Sequence, residues 1–252
     1  MSNLPQALTR WATPFASLQK QDFYILKFKF AVFMRTFVIS DIHGNNELFK
    51  NSLKQVGLTQ KDRLILLGDL IDRGVDSKGV LDTVMLLMDT GFNLDCLTGN
   101  HEKMFLDASL SATNLNHWLR NGGDKTLASF LTNSIEKIPA NYFKFVSSFK
   151  YYLEIENFIF VHAALNMNID KPFTDIHTIL WERNPAKYLN GNWMGNRKLI
   201  HGHHPRSREE ILQAIENDEK VICIDNGIYF SKPELGTLCI LQLETLKVSF
   251  FK

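Results

Sequence analysis

The chain has 252 residues, of which 45% are hydrophobic and 22% charged, enough to close one sizeable core and too varied for a fibrous or disordered protein. Lys plus Arg numbers 28 against 27 Asp plus Glu, so the net charge of +1 leaves no electrostatic footprint for nucleic acid or an anionic membrane. No stretch reaches the ~18 uninterrupted apolar residues of a membrane span, because Lys27 and Lys29 break the most apolar run, Phe23 to Phe33.

Cys96, Cys223 and Cys239 are odd in number, far apart and set in apolar runs, which argues against a disulfide framework and for a reducing, cytoplasmic setting. Residues 1–33 carry Arg10, Lys20, Lys27 and Lys29 against Asp22 alone. No small-residue cleavage site follows them, so the expectation is an optional packing arm or a functional start at Met34. The rest, 34–252, reads as one domain.

From Met34 onward, short apolar runs alternate with helix-like segments, the pattern of an α/β domain with buried strands. Thr36–Ser40 leads into Asp41-Ile42-His43-Gly44, followed by a helix-spaced segment over Asn45 to Val56. Leu64–Leu67 leads into Gly68-Asp69-Leu70-Ile71-Asp72-Arg73-Gly74, then a helix over Ser77 to Asp89 that Gly91 ends. Leu94–Leu97 runs into Gly99-Asn100-His101-Glu102, Phe158 to Val161 into His162, and Leu199-Ile200 into His201-Gly202-His203-His204. Between the third and fourth runs, 103–150 reads as a helical excursion that lies over the site and shapes substrate choice.

Each of the five runs ends in Asp, Asn or His, the donors that suit divalent transition metals. Singly, each has a plainer reading as a helix cap, a turn or a core histidine. Five together at the carboxyl ends of strands point to one ligand-binding edge. Asp41 and His43, two apart, face the same way in extended chain and can share an ion. Asp69 is the candidate bridge to a second ion completed by Asn100, His162 and His203. Arg73 and Arg183 offer guanidinium forks for phosphate oxygens, and His101, oriented by Asp72, can protonate a leaving oxygen.

Asp41-x-His43-Gly44, Gly68-Asp69-x-x-Asp72-Arg73-Gly74 and Gly99-Asn100-His101-Glu102 resemble the three signatures of the phosphoprotein phosphatase family of calcineurin-like metallophosphoesterases. The likeness continues through His162, Trp181-x-Arg183 and Gly202-His203-His204-Pro205, and through Asn121–Leu127 and Ile224–Gly227, which resemble segments of bacterial members. It implies a four-layer α/β sandwich, two β-sheets flanked by helices, around a dinuclear centre. Asp41, His43 and Asp69 would hold one divalent ion, and Asp69, Asn100, His162 and His203 the other, with Mn expected in vitro and Fe or Zn as alternatives. Arg73, Asn100 and Arg183 would bind phosphate, and His101 with Asp72 would form the acid dyad.

Pro205 stands where broader metallophosphoesterases place a second metal-binding histidine, which favours the phosphoprotein branch. His204 and His201 are departures that read as structural. The implied reaction is hydrolysis of phosphate monoesters by a metal-activated water. The expected substrate is a phosphoserine or phosphothreonine protein or a phosphorylated small molecule. A symmetrical dinucleoside-tetraphosphate hydrolase is the alternative, and a non-catalytic scaffold the reading from another class. Neither nucleic acid nor a membrane is expected as a partner.

Overall fold

Within Thr36–Ile39 (β1), successive side chains point to opposite faces, and both faces are buried. Phe37 and Ile39 pack under helices, whereas Val38 joins a second cluster with Phe160 and Ile200. The same alternation runs through Arg63–Leu66 (β2), where Leu64 and Leu66 face one way and Ile65 the other. In Phe158–Val161 (β5), Phe160 faces inward while Ile159 and Val161 join a third cluster with Ile179 and Leu180. Burial on both faces is why these strands are continuous apolar runs in the sequence.

The computed structural model describes residues 34–252, and the expectation for residues 1–33 lies outside the described residues. One sheet has the order β3-β2-β1-β8-β9, with Asn93–Cys96 as β3, Leu238–Gln242 as β8 and Lys247–Phe251 as β9. Its β1, β2 and β3 are parallel, and β8 returns antiparallel to β1, with Val38 opposite Leu241. The other sheet has the order β4-β5-β6-β7, with Tyr152–Ile155 as β4, Lys198–His201 as β6 and Val221–Cys223 as β7. Here β5, β6 and β7 are parallel and β4 is antiparallel.

The inner faces of the two sheets close on Val38, Ile65, Leu97, Phe160, Ile200 and Ile222. Helices Asn46–Gln55 (α1) and Ser77–Asp89 (α2) contribute Phe49, Leu53, Val80 and Val84 to the outer face of the first sheet. Asp76 caps α2, its carboxylate accepting from Gly79 N at 2.9 Å. The result is helices, sheet, sheet, helices: the expected four-layer α/β sandwich. Cys96, Cys223 and Cys239 are free and buried.

Between β3 and β4 the chain forms helices Asn100–Ala108 (α3), Ala112–Trp118 (α4), Asp124–Ser129 (α5) and Ala140–Val146 (α6). A π-turn over Leu119–Gly123 joins α4 to α5. The helical stretch begins at Asn100, before the expected 103, because Glu102 accepts from Gly99 N and starts α3 on the motif itself. Its far end is tied down where Lys150 N donates to Cys96 O at 3.0 Å and Thr98 N to Lys150 O at 2.7 Å. After β5 come Ile176–Trp181 (α7), Gly191–Met194 (α8) and Arg208–Glu216 (α9). Among the described residues no helix is long and apolar enough to cross a membrane.

Candidate active site

The loops after β1, β2 and β3 of one sheet meet the loops after β5 and β6 of the other. Asp41 and His43 lie beyond the end of β1, and the extended-chain argument for their pairing does not hold, since His43 turns at φ 46°. What orients this loop is its neighbour: Ile42 N and His43 N both donate to the Asp69 carbonyl, at 3.0 and 2.9 Å. The pair still converges, with His43 Nε2 3.9 Å from Asp41 Oδ1.

Asp69 sits between two donor groups, and its two oxygens divide. Oδ2 lies 3.7 Å from His43 Nε2, while Oδ1 lies 3.4 Å from His162 Nε2. On the second side Asn100 Oδ1 is 3.0 Å from His162 Nε2 and 2.9 Å from His203 Nδ1. Two of the histidines are aimed by a backbone carbonyl behind them: His43 Nδ1 by Ile71 O at 3.0 Å, and His162 Nδ1 by Leu67 O at 2.9 Å. His43, Asp69 and His101 form one metal-competent group, and Asp69, His162 and His203 the other.

The electrostatics fit cations. Asp41, Asp69, Glu102 and Asp225 are all buried close together. Burial pushes the Asp69 carboxyl well up, and the charges of Asp41 and Glu102 push it further. Burial holds His43 and His162 below the ordinary imidazole range and His203 down to about 2, which leaves their lone pairs available. His101 Nε2 and His203 Nε2 are buried without a hydrogen-bond partner. Divalent ions between these oxygens and nitrogens would relieve the carboxylate repulsion, so the donor set fits a metal pair.

Glu102, the last residue of the Gly99-Asn100-His101-Glu102 motif, has a role that its spacing alone does not disclose. Its Oε2 accepts from Asp69 N at 2.7 Å and Gly99 N at 2.8 Å, and its Oε1 accepts from Leu70 N at 2.8 Å. It therefore locks the Asp69 loop to the Asn100 loop. Gly68 between them has φ 98°, and a Cβ there would collide with Gly99 N. Among the described residues nine non-glycine residues have positive φ, and five of them are His43, Asp69, Asp72, Arg73 and His203. Such strain persists only where surrounding bonds over-determine the backbone, and it concentrates at functional sites.

His101 Nδ1 lies 2.7 Å from Asp72 Oδ2, and its Nε2 faces the centre, 3.9 Å from Asp69 Oδ2. Burial pushes the Asp72 carboxyl up to about 8 against the hydrogen bonds it accepts. Arg73 reaches the same centre, its Nη1 3.2 Å from His43 Nε2. Its guanidinium lies 4.1 Å from the centroid of the Tyr229 ring, a contact the sequence did not disclose.

Arg183 is exposed at the rim, and its carbonyl accepts from His204 Nδ1 at 2.9 Å. His204 thus ties down the Arg183 loop. His201 is buried, its Nδ1 3.0 Å from Gly202 O. A cavity of about 270 Å³, lined by Lys103, His117, His177 and Trp181 among others, opens between the excursion and α7.

The model of the calcineurin-like phosphoesterase family matches residues 34–234. The chain belongs to this family. It is a metallophosphoesterase, a hydrolase of phosphoester bonds that uses divalent metal ions. Serine/threonine-protein phosphatase 1 of Salmonella typhimurium is 32% identical over 179 residues, 68% of this chain and 79% of that protein. The symmetrical bis(5'-nucleosyl)-tetraphosphatase of Vibrio parahaemolyticus is 29% identical over 138 residues, 54% of this chain and 47% of that protein. A protein serine/threonine phosphatase structure from Saccharomyces cerevisiae superposes with a TM-score of 0.58 at 16% identity, over 87% of this chain and 80% of that one. At that identity the likeness bears on the fold alone.

Proposed function

We propose that this metallophosphoesterase removes phosphate from phosphoserine and phosphothreonine in proteins, in the cytoplasm, with two Mn ions in vitro and Fe or Zn as alternatives. The observation that carries the reading is the division of the Asp69 carboxylate between two donor groups, with the unpartnered His101 Nε2 beside them. Asp41, His43 and Asp69 would hold one ion, and Asp69, Asn100, His162 and His203 the other. Bound there, the ions supply a water of lowered pKa and neutralise charge on the phosphoryl oxygens.

The chain's own groups do the rest. Arg73, held over Tyr229, and Arg183, on the loop tied by His204, grip the phosphate, and Asn100 contacts it beside them. His101 delivers a proton from Nε2 to the leaving oxygen, while Asp72 holds Nδ1. The protein substrate is supported by the 32% identity to a serine/threonine phosphatase over most of its length. A dinucleoside tetraphosphate is the rival substrate, supported by the shorter match to a symmetrical tetraphosphatase. Domain organisation follows the same reading: 34–252 is the catalytic domain.

The deciding measurement is kcat/KM for a phosphoserine peptide and for diadenosine tetraphosphate on one Mn-loaded preparation. A preference for the peptide of about a hundredfold, or ~2.7 kcal/mol of transition-state stabilisation, is expected. The opposite preference would replace the protein substrate with the dinucleotide.

A further inference from the structure

The excursion between β3 and β4 sends two side chains back to the dyad. Asp72 receives more than the single bond to His101. Trp118 Nε1 donates to its Oδ2 at 2.9 Å and its Oδ1 at 3.1 Å, and Thr126 Oγ1 donates to Oδ1 at 2.6 Å. Trp118 is fully buried, and Thr126 is 1% exposed. They lie 46 and 54 residues from Asp72 in sequence. Thr126 Oγ1 also lies 3.1 Å from Asp72 N and 2.9 Å from Ser77 Oγ, so its hydroxyl fixes the Asp72 backbone, at φ 70°, as well as the carboxylate.

An indole N–H can only donate, and a hydroxyl that accepts from Asp72 N turns its own proton outward. Both groups therefore treat Asp72 as an acceptor. The carboxylate plane is set from two sides, which leaves Oδ2 to receive Nδ1–H of His101 and fixes the imidazole so that Nε2 faces the centre. Trp118 is itself held by its fit: it packs on Phe105 at 5.5 Å between ring centroids, and a Cβ on Gly123 would collide with the indole.

We infer that Thr126 and Trp118 are positioning residues for proton delivery: they hold the Asp72 carboxylate so that His101 is oriented toward the leaving oxygen. The inference rests on the proposed role of His101 as the acid. Its consequence is selective, because a badly oriented acid hurts most where the leaving oxygen is basic and least where the leaving group departs unaided.

The test compares kcat and KM on a phosphoserine peptide, which has a poor leaving group, and on 4-nitrophenyl phosphate, which has a good one. Thr126→Val is expected to lower kcat on the peptide by roughly tenfold or more and on 4-nitrophenyl phosphate by less than about threefold, with KM and metal content unchanged. Thr126→Ser, which keeps the hydroxyl, restores the peptide rate. Trp118→Phe, which deletes the other donor, is expected to show the same selectivity, so a Thr126→Val protein that fails to fold leaves the idea open to refutation. Equal loss on both substrates, or no loss on either, overturns it. His101→Asn separates the two layers: if it discriminates between the substrates and Thr126→Val does not, only the positioning role falls. If His101→Asn is itself indifferent to the leaving group, the acid reading fails and the inference with it.

Discussion

Asp69 is constrained through its backbone and its side chain alike. Its backbone is in the left-handed region at φ 53°, its N–H is bound by Glu102, its carbonyl accepts from Ile42 and His43, and its Oδ1 accepts from His101 N at 3.0 Å. In the proposed role this carboxylate would serve two ions, and an amide cannot replace it there, since its nitrogen offers no lone pair to a metal. Asp69→Asn is expected to lower metal occupancy and activity together, read by elemental analysis beside turnover. Full occupancy in the mutant would contradict bridging. Glu102 gives a complementary prediction because it touches only backbone N–H groups. In Glu102→Gln one oxygen becomes an N–H donor aimed at donors, so the mutant should lose about 2–4 kcal/mol of stability. Urea unfolding checks this, and a loss under 1 kcal/mol would show that water can take over the orphaned amides.

The excursion hangs from the first sheet by its two ends, and Asp95 in β3 is the anchor. Its Oδ1 lies 2.6 Å from Lys150 Nζ, at the end of the excursion, and its Oδ2 lies 2.6 Å from Arg63 Nη2 on β2. Burial pushes the Asp95 carboxyl up, but the bonds from Lys150 and Arg63 outweigh it and hold it below the usual carboxylate range. A depressed folded-state pKa means stability that is present above the unfolded value, near 3.8, and lost as pH falls through the folded value. Asp95→Asn should therefore cost about 1 kcal/mol near pH 7, the solvent-exposed Lys150 limiting the gain. The gap from wild type should close below about pH 3.8, as followed by denaturant unfolding across pH. A gap that is constant with pH would mean that packing, not charge, is what Asp95 supplies. The excursion also shows what sequence can disclose. Strands buried on both faces were legible as apolar runs, and the donors at their ends were legible because five coincide. Edge strands β4 and β9 were not, since each is half exposed and carries a weak apolar signal. The contacts of Tyr229 with Arg73, and of Trp118 and Thr126 with Asp72, were hidden for another reason: they join segments far apart in sequence, and no local spacing encodes them.

At the scale of the whole molecule, the site is the seam of the sandwich. Asp41, His43, Asp69 and Asn100 come from loops of the first sheet, whereas His162 and His203 come from loops of the second. Ions bound there would join the two sheets at their carboxyl ends, where Asp41, Asp69 and Asp225 otherwise repel one another in a buried setting. Metal that binds the folded state and not the unfolded one adds about 2.7 kcal/mol at a hundred times its dissociation constant. For a domain of this size that is a shift in Tm of roughly 5–10 °C. Chelation should lower Tm by about this amount, and re-addition of Mn should restore it. Calorimetry before and after EDTA, with elemental analysis to confirm removal, measures the shift. Asp69→Asn supplies the control, because a protein whose bridge is broken should gain little from Mn. A wild-type Tm indifferent to verified metal loss would mean that the hydrophobic inner faces, from Val38 to Ile222, hold the sheets together without help from the centre.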